Sequence, residues 1–320
     1  MVGEARVTVV VPAYRAEATI RRAVDSVLAQ QGVDVRAVIV VDGRLDRTVE
    51  QLEGYDPDRV QVLVNENNRG SQVSRNRGLA AADGEVVMFL DCDDFLEGPM
   101  LAGLARALRE EKADIAFGPM QVLEEKSGRR RPPVYRSYES ADDLFRAWMA
   151  EAHTVAPCSI MWRTAFLREI GGWDEGVARN QDGEVVMRTL LRGGRFAVSR
   201  AGQGIYVHHD SDDRITRRTD NLAALIDVGE MLLTAPSSVV GQGARRDGVA
   251  GYFYRIALRF YSSGRQDLAI RALRRARELG FRGHGGPLWH RLTARLLGLD
   301  LRYRISNFVK RRRLFGFSGF

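Results

Sequence analysis

The 320-residue chain has little cysteine and almost no lysine, and it lacks both a long apolar run and a glycine-rich phosphate loop. Two cysteines, Cys92 and Cys158, cannot build a disulfide framework and suit a reducing compartment. No stretch approaches the roughly 18 continuous apolar residues of a membrane span, and the N-terminus has no charged-then-apolar leader. A cytoplasmic protein is the expectation. Neither GxxxxGKS/T nor GxGxxG follows the first apolar segment, where the residues are Pro12, Ala13 and Tyr14. That excludes an ordinary P-loop enzyme and the usual dinucleotide binder. Any nucleotide bound here has to be held by carboxylates and a cation.

The net charge of +7 conceals an asymmetry. Residues 241–320 carry 18 Lys and Arg against 4 Asp and Glu, which leaves 30 against 37 for the first 240. A basic tail on an acidic body points to an anionic partner for the tail. No nucleic-acid-binding module accompanies it, so a nucleic-acid partner is not expected. Lysine stands only at Lys112, Lys126 and Lys310, so the basic character is almost all arginine.

What is present is a regular alternation. "RVTVVVPAY" (6–14) is β-branched and apolar and reads as a buried strand. "EATIRRAVDSVLAQQ" then places Ile20, Val24, Val27 and Leu28 at helical spacing. "VRAVIVVDG" is a second buried strand ending in Asp42. "RVQVLVNE" is a third, and "GEVVMFLDCDD" a fourth after the helix-like "SQVSRNRGLAAA". This is the βαβ order of a mainly parallel sheet with helices on both faces, in which ligands bind beyond the carboxyl ends of the strands. Residues 99–220 alternate less regularly, with short strands at "CSIMW" and "RFAVS" and a helix in "TAFLREIGGWDE" closed by Gly171 and Gly172. From Asn221 the pattern is helical almost to the end, with a hinge at "GHGGP" (283–287).

"FLDCDDF" (89–95) crowds Asp91, Asp93 and Asp94 onto the end of the fourth strand. Two readings stand: a solvated turn, in which Asp is common, or a site where hard oxygen ligands converge on Mg²⁺ or Mn²⁺. That Asp42 ends another strand of the same sheet favours a shared site.

"VVVPAYRAEATIRRAVDSVLAQ", "VIVVD", "NNRGSQVSRNRGLAAADGEVVMFLDCDD" and "GGWDE…NQDGEVVMRTLLRGG", in this order, resemble the inverting family 2 glycosyltransferases over roughly residues 5–218. The resemblance implies a GT-A fold, a nucleotide-sugar donor, most often a UDP-sugar, and a divalent cation (Mn²⁺ or Mg²⁺). It implies that Asp93 ligates the metal, that Asp91 serves the ribose side and that Asp94 orients the loop. Asp42 matches the carboxylate that meets the base, although the usual Asp-Asp-Gly-Ser is here Asp42-Gly43-Arg44, one residue short. Pro12, Ala13 and Tyr14 would line the nucleotide pocket, with Tyr14 either stacking on the base or merely packing. Asn68, Gly70, Arg75 and Asn76 fall on the helix flanking the nucleotide, and Trp173 on the substrate side. Arg75 either approaches the pyrophosphate or pairs with the acidic loop. Asp182 matches the general base, with an N-cap as its bland alternative. Gln181 stands where the family has Glu. Of His208 and His209, one would bind metal, His209 being preferred over a plain surface role.

The expected organisation is a glycosyltransferase domain over 1–220, with a nucleotide half (1–98) and an acceptor half (99–220), followed by a basic helical extension over 221–320. The expected acceptor is a saccharide or a lipid-linked saccharide, in surface polysaccharide or glycoconjugate synthesis. In the tail, Trp289, Leu292, Leu296, Leu299 and Tyr303 form one apolar stripe flanked by Arg291, Arg295, Arg302 and Arg304, with a basic cluster at 310–313. It reads either as a helix packed on the catalytic domain or as a peripheral anchor on an anionic membrane face. The altered 42–45 turn and Gln181 leave a second overall reading, a nucleotide-sugar-binding protein whose catalysis has decayed.

Overall fold

The computed structural model describes residues 4–135, 137–150, 156–209 and 221–282. The hinge at 283–287 and the amphipathic tail lie outside the described residues.

The chain opens with β1 (Ala5–Ala13), α1 (Ile20–Leu28), β2 (Val33–Asp42), β3 (Val60–Asn65), α2 (Ser71–Ala81) and β4 (Val86–Phe89). Then follow β5 (Phe95–Glu97), α3 (Met100–Glu110), β6 (Ile115–Phe117), β7 (Met120–Glu124), β8 (Arg129–Arg130) and α4 (Ala141–Met149). After them come β9 (Ile160–Arg163), α5 (Thr164–Glu169), α6 (Gln181–Leu191), β10 (Phe196–Val198) and β11 (Gln203–His208). The described chain ends in three helices, α7 (Ala224–Thr234), α8 (Gln242–Ser262) and α9 (Gln266–Glu278).

The main sheet has seven strands in the order β10-β6-β9-β4-β1-β2-β3. All neighbours pair in parallel except β9, which runs antiparallel to both β4 and β6. A smaller sheet, β5-β11-β7-β8, stands beside it. Both faces of the main sheet are covered, so its central strands carry near-continuous apolar runs instead of alternating. On β1, Val7, Val9 and Val11 enter one core and Val10 the other. β2 repeats this, with Ala37, Ile39 and Val41 on one face and Val38 and Val40 on the opposite one. One core is closed by α1 and α3, the other by α2 and α4 to α9. The fold is therefore the α/β, mainly parallel, helix-flanked sheet that the alternation predicts.

Two details place the site. α2 lies so close to β1 that a Cβ on Gly78 would fall 2.2 Å from Val10 Cγ1, so only glycine lets the helix down onto the strand. The apolar faces of α7, α8 and α9 join the same core as Phe117, Phe145 and Trp162, so the described part of the C-terminal region packs directly on the sheet's helical cover.

Candidate active site

The site lies beyond the carboxyl ends of β1, β2 and β4. Pro12 and Ala13, at the end of β1, are buried, while Tyr14 is 43% exposed with the Arg15 guanidinium 5.5 Å from its ring centre. The Tyr14 ring is thus only partly covered. Asp42 ends β2 and is buried; Oδ1 accepts from Asn65 Nδ2 at 2.8 Å and from the Arg69 N–H at 2.9 Å, and Oδ2 from the Gly70 N–H at 2.8 Å. Both oxygens are engaged, so a base hydrogen-bonding to Asp42 has to share them. Asn68 Oδ1 also accepts from the Gly70 N–H, at 3.1 Å, and Gly70 itself sits at φ +95°, a conformation glycine adopts freely, where the chain turns into α2.

The 91–94 turn splits its carboxylates three ways. Asp91 Oδ1 accepts from Arg75 Nη2 at 2.7 Å. Asp93 Oδ2 lies 2.9 Å from His209 Nε2, and the Arg22 guanidinium holds the Asp93 carbonyl at 2.7 Å. Asp94 is fully buried: Oδ1 accepts from the Val207 N–H at 2.8 Å, and the buried Cys158 thiol hydrogen-bonds to the carboxylate. Burial raises the Asp94 carboxyl well above its usual range, and Asp93 and Asp91 add to that. That shift favours the protonated form and so eases the crowding of charge in the turn, while the bond from Val207 ties Asp94 to β11. Burial likewise raises Asp93, with Asp91 contributing, and pushes the Cys92 thiol between them to about 12, far from any nucleophilic role.

His209 and His208 part company. His209 meets Asp93 with one nitrogen and Glu125 Oε2 with the other at 2.6 Å, whereas His208 turns to Glu124 Oε2 at 2.9 Å. Glu125 does not stand out in the sequence. It reaches the site because β7 runs parallel to β11, a pairing between segments some eighty residues apart. A carboxylate and an imidazole nitrogen, with a second carboxylate behind the ring, form a donor set that fits Mn²⁺ or Mg²⁺ at Asp93 and His209. Among the described residues no group of three or more His, Cys, Asp or Glu is arranged to hold a metal, so further ligands would have to come from a bound diphosphate.

Arg75, on α2, is the centre of the remaining group. Its side chain is 6% exposed and lies 2.7 Å from Asp91 and 3.9 Å from Asp182 Oδ1, with its guanidinium carbon 4.5 Å from the centre of the Trp173 ring. Pairing with the acidic loop is thus its observed contact. Trp173 is 2% exposed and packs edge-on against Phe89 and Trp162, so its ring supports Arg75 from below and presents no open face. Asn76 does not face the open site: its Oδ1 accepts from the Trp173 N–H and its Nδ2 donates to the Trp173 carbonyl, both at 2.8 Å, pinning the "GGWDE" turn to α2.

Asp182 is in the first turn of α6, whose N-cap is Asn180 in a left-handed conformation, so capping is not its role. Its side chain is 43% exposed, yet Oδ1 is shut from solvent with no hydrogen-bond partner. Burial raises its carboxyl to about 6, against the opposing pull of Arg75 and with a further push from Asp91. A half-open carboxylate titrating near neutrality is suited to taking a proton.

No helix among the described residues is long and apolar enough to cross a membrane. Among proteins of known class, the chain is 29% identical over 241 residues to the succinoglycan biosynthesis protein ExoO of Rhizobium meliloti, covering 71% of this chain and 68% of that one. It is 26% identical to the uncharacterized glycosyltransferase EpsJ of Bacillus subtilis, over 66% of this chain and 62% of that one. The fold matches S. aureus TarS 1–349 in complex with UDP-GlcNAc with a TM-score of 0.71 at 19% identity, covering 96% and 92% of the two chains. The sequence profile described as glycosyl transferase family 2 matches residues 8–171. With the GT-A sheet, the acidic turn beyond β4 and these relatives in agreement, the chain belongs to glycosyl transferase family 2.

Proposed function

We propose that this glycosyltransferase moves a sugar from a UDP-sugar to a hydroxyl of a saccharide or lipid-linked saccharide, with inversion and with a divalent cation, in polysaccharide or glycoconjugate synthesis. The observation that carries the reading is the gathering beyond the strand ends of Asp91, the Asp93–His209 pair and a half-open Asp182 with a raised pKa. The UDP-GlcNAc complex of the similar TarS fold and the succinoglycan biosynthesis for which ExoO is named support the donor and the setting.

In this mechanism the nucleotide lies over Pro12 and Ala13, with Tyr14 free to stack on the base and the loop shaped by Asp42 displaying Asn68. Asp93 and His209 would hold the cation, which supplies positive charge against the diphosphate as it leaves. Asp91 accepts from the ribose hydroxyls. The acceptor oxygen attacks the anomeric carbon from the face opposite the diphosphate, the anomeric C–O bond breaks, and UDP departs. Asp182 takes the acceptor's hydroxyl proton in the same step.

Calorimetry with UDP, with and without Mn²⁺, followed by UDP release from a panel of UDP-sugars, tests this. The expected result is UDP binding that requires the metal. Binding indifferent to metal would overturn the roles of Asp93 and His209. Metal-dependent binding with no turnover on any acceptor would favour the decayed binding protein.

A further inference from the structure

We propose that Arg75 is a positioning residue that keeps the base Asp182 in its working charge state and, because the same guanidinium holds Asp91, ties the state of the base to occupancy of the donor site. The inference rests on the function proposed above. Its geometry is a single buried cation placed between two carboxylates that belong to opposite ends of the reaction.

Arg75 is 2.7 Å from Asp91 and 3.9 Å from Asp182, so it is bonded to the first and within Coulomb reach of the second. The charged groups facing Asp182 are Arg75 from α2 and Asp91 from the acidic turn. On its own helix, Glu184 is already neutralised by Arg188, at 2.6 and 2.9 Å. Without Arg75, then, Asp182 would face burial and a like charge with no cation against them, and both favour the protonated acid. A protonated Asp182 cannot accept the hydroxyl proton.

Two further observations mark the arrangement as poised. Arg75 Nε and Asp182 Oδ1 are both buried without hydrogen-bond partners, an expensive condition in a resting protein unless the groups are held for use. The guanidinium is also fixed from below by the Trp173 ring, which cannot itself hydrogen-bond to it. Around it, α2 binds the base-bearing segment through Ser71 to Gln181 at 3.0 Å, Gln72 to the Val177 carbonyl at 2.6 Å, and Asn76 to Trp173. The backbone distance between Arg75 and Asp182 is therefore set by several bonds. What remains free to change is how the guanidinium divides itself between its two carboxylates. Ribose hydroxyls donating to Asp91 compete with Arg75 for that oxygen, and every bond lost on that side turns the cation toward Asp182.

The test follows the Asp182 carboxyl directly, by ¹³C NMR titration of aspartate-labelled protein, with Asp182→Asn to assign the signal. In the intact chain the midpoint should fall on adding UDP with Mn²⁺. In Arg75→Met it should rise by roughly one unit or more and no longer respond to UDP. Arg75→Lys, which keeps the charge, should restore most of the midpoint and also serves should the Met variant fail to fold. Where turnover is measurable, the acid limb of the pH–rate profile should move with the midpoint. If Arg75 served only the pyrophosphate, the donor KM would rise in Arg75→Met while the midpoint stayed in place, and the proposal would fall. An unmoved midpoint with a lowered melting temperature would leave Arg75 a structural residue. A midpoint that moves as expected in a protein with no transferase activity would keep the coupling and overturn the proposed function instead.

Discussion

Asp42 and Asp91 stand at or just beyond the ends of β2 and β4, the two strands that flank β1, whereas Trp173 and Gln181, the neighbour of Asp182, are held by side-chain bonds reaching back about a hundred residues to α2. The proposed donor side of this glycosyltransferase is thus placed by a backbone lattice. Its carboxylates follow from strand register, and each strand is fixed by apolar contacts on both faces. The proposed acceptor side has short elements, and Asp182, the carboxylate proposed as the base, lies at the start of a helix whose approach depends on Ser71, Gln72 and Asn76. The contrast suggests a division of labour. A lattice suits a ligand shared by a whole family, while a segment clamped by a few side chains can be re-shaped for different acceptors without disturbing the sheet.

The sharpest way to break this division is at its two carboxylates. Asp93→Ala should abolish metal-supported UDP binding in calorimetry, since it removes the carboxylate that meets His209. Asp182→Asn should instead leave UDP affinity unchanged while transfer falls by roughly 10²-fold or more. Loss of donor affinity in the Asn variant would mean that the two sides cannot be separated. Glu125→Gln should weaken Mn²⁺ by about 10–100-fold, read from the metal dependence of UDP binding, because the imidazole loses the carboxylate that orients it. A smaller effect comes from pH. Asp182 must be ionised to accept a proton and its carboxyl is raised to about 6 in the free protein, so kcat/KM for the donor should climb as pH rises through 6 and flatten above it, with the value at pH 5 about tenfold below the plateau. A profile that falls over the same range would exclude Asp182 as the base. Least of all, Asn76→Ala should cost about 1–3 kcal/mol by leaving the Trp173 backbone groups unpaired, lowering the melting temperature with UDP affinity intact.

The same division explains what could be read from the sequence. β1, β2 and β4 are legible because strands buried on both faces are written as continuous runs such as "VVV" and "VIVV", and Asp42 and Asp91 follow from where those runs stop. The helix of "TAFLREIGGWDE" is legible from its double glycine, and ends where expected. The antiparallel insertion of β9 between β4 and β6 is not legible, since "CSIMW" announces a strand but not its neighbours. Glu125 is hidden for the same reason, because only the β7–β11 pairing brings it to His209. Trp173 shows the opposite limit: a motif marks the residue, but a motif cannot tell that its ring is sealed under Arg75. Asp42 is placed correctly at a strand end, while its commitment to the 65–70 loop depends on backbone donors that sequence does not display.

The core shared by the sheet cover and α7 to α9 has a thermal consequence. Phe253 and Phe260 of α8 lie in the same apolar cluster as Phe145 of α4 and Trp162 of the central sheet, so no seam divides the motif-bearing part from the helices that follow it. Heating should therefore melt the two together in one cooperative transition, with amide protons on α8 exchanging as slowly as those of β1. Residues that carry no signature of the reaction would then set the temperature at which the reaction stops.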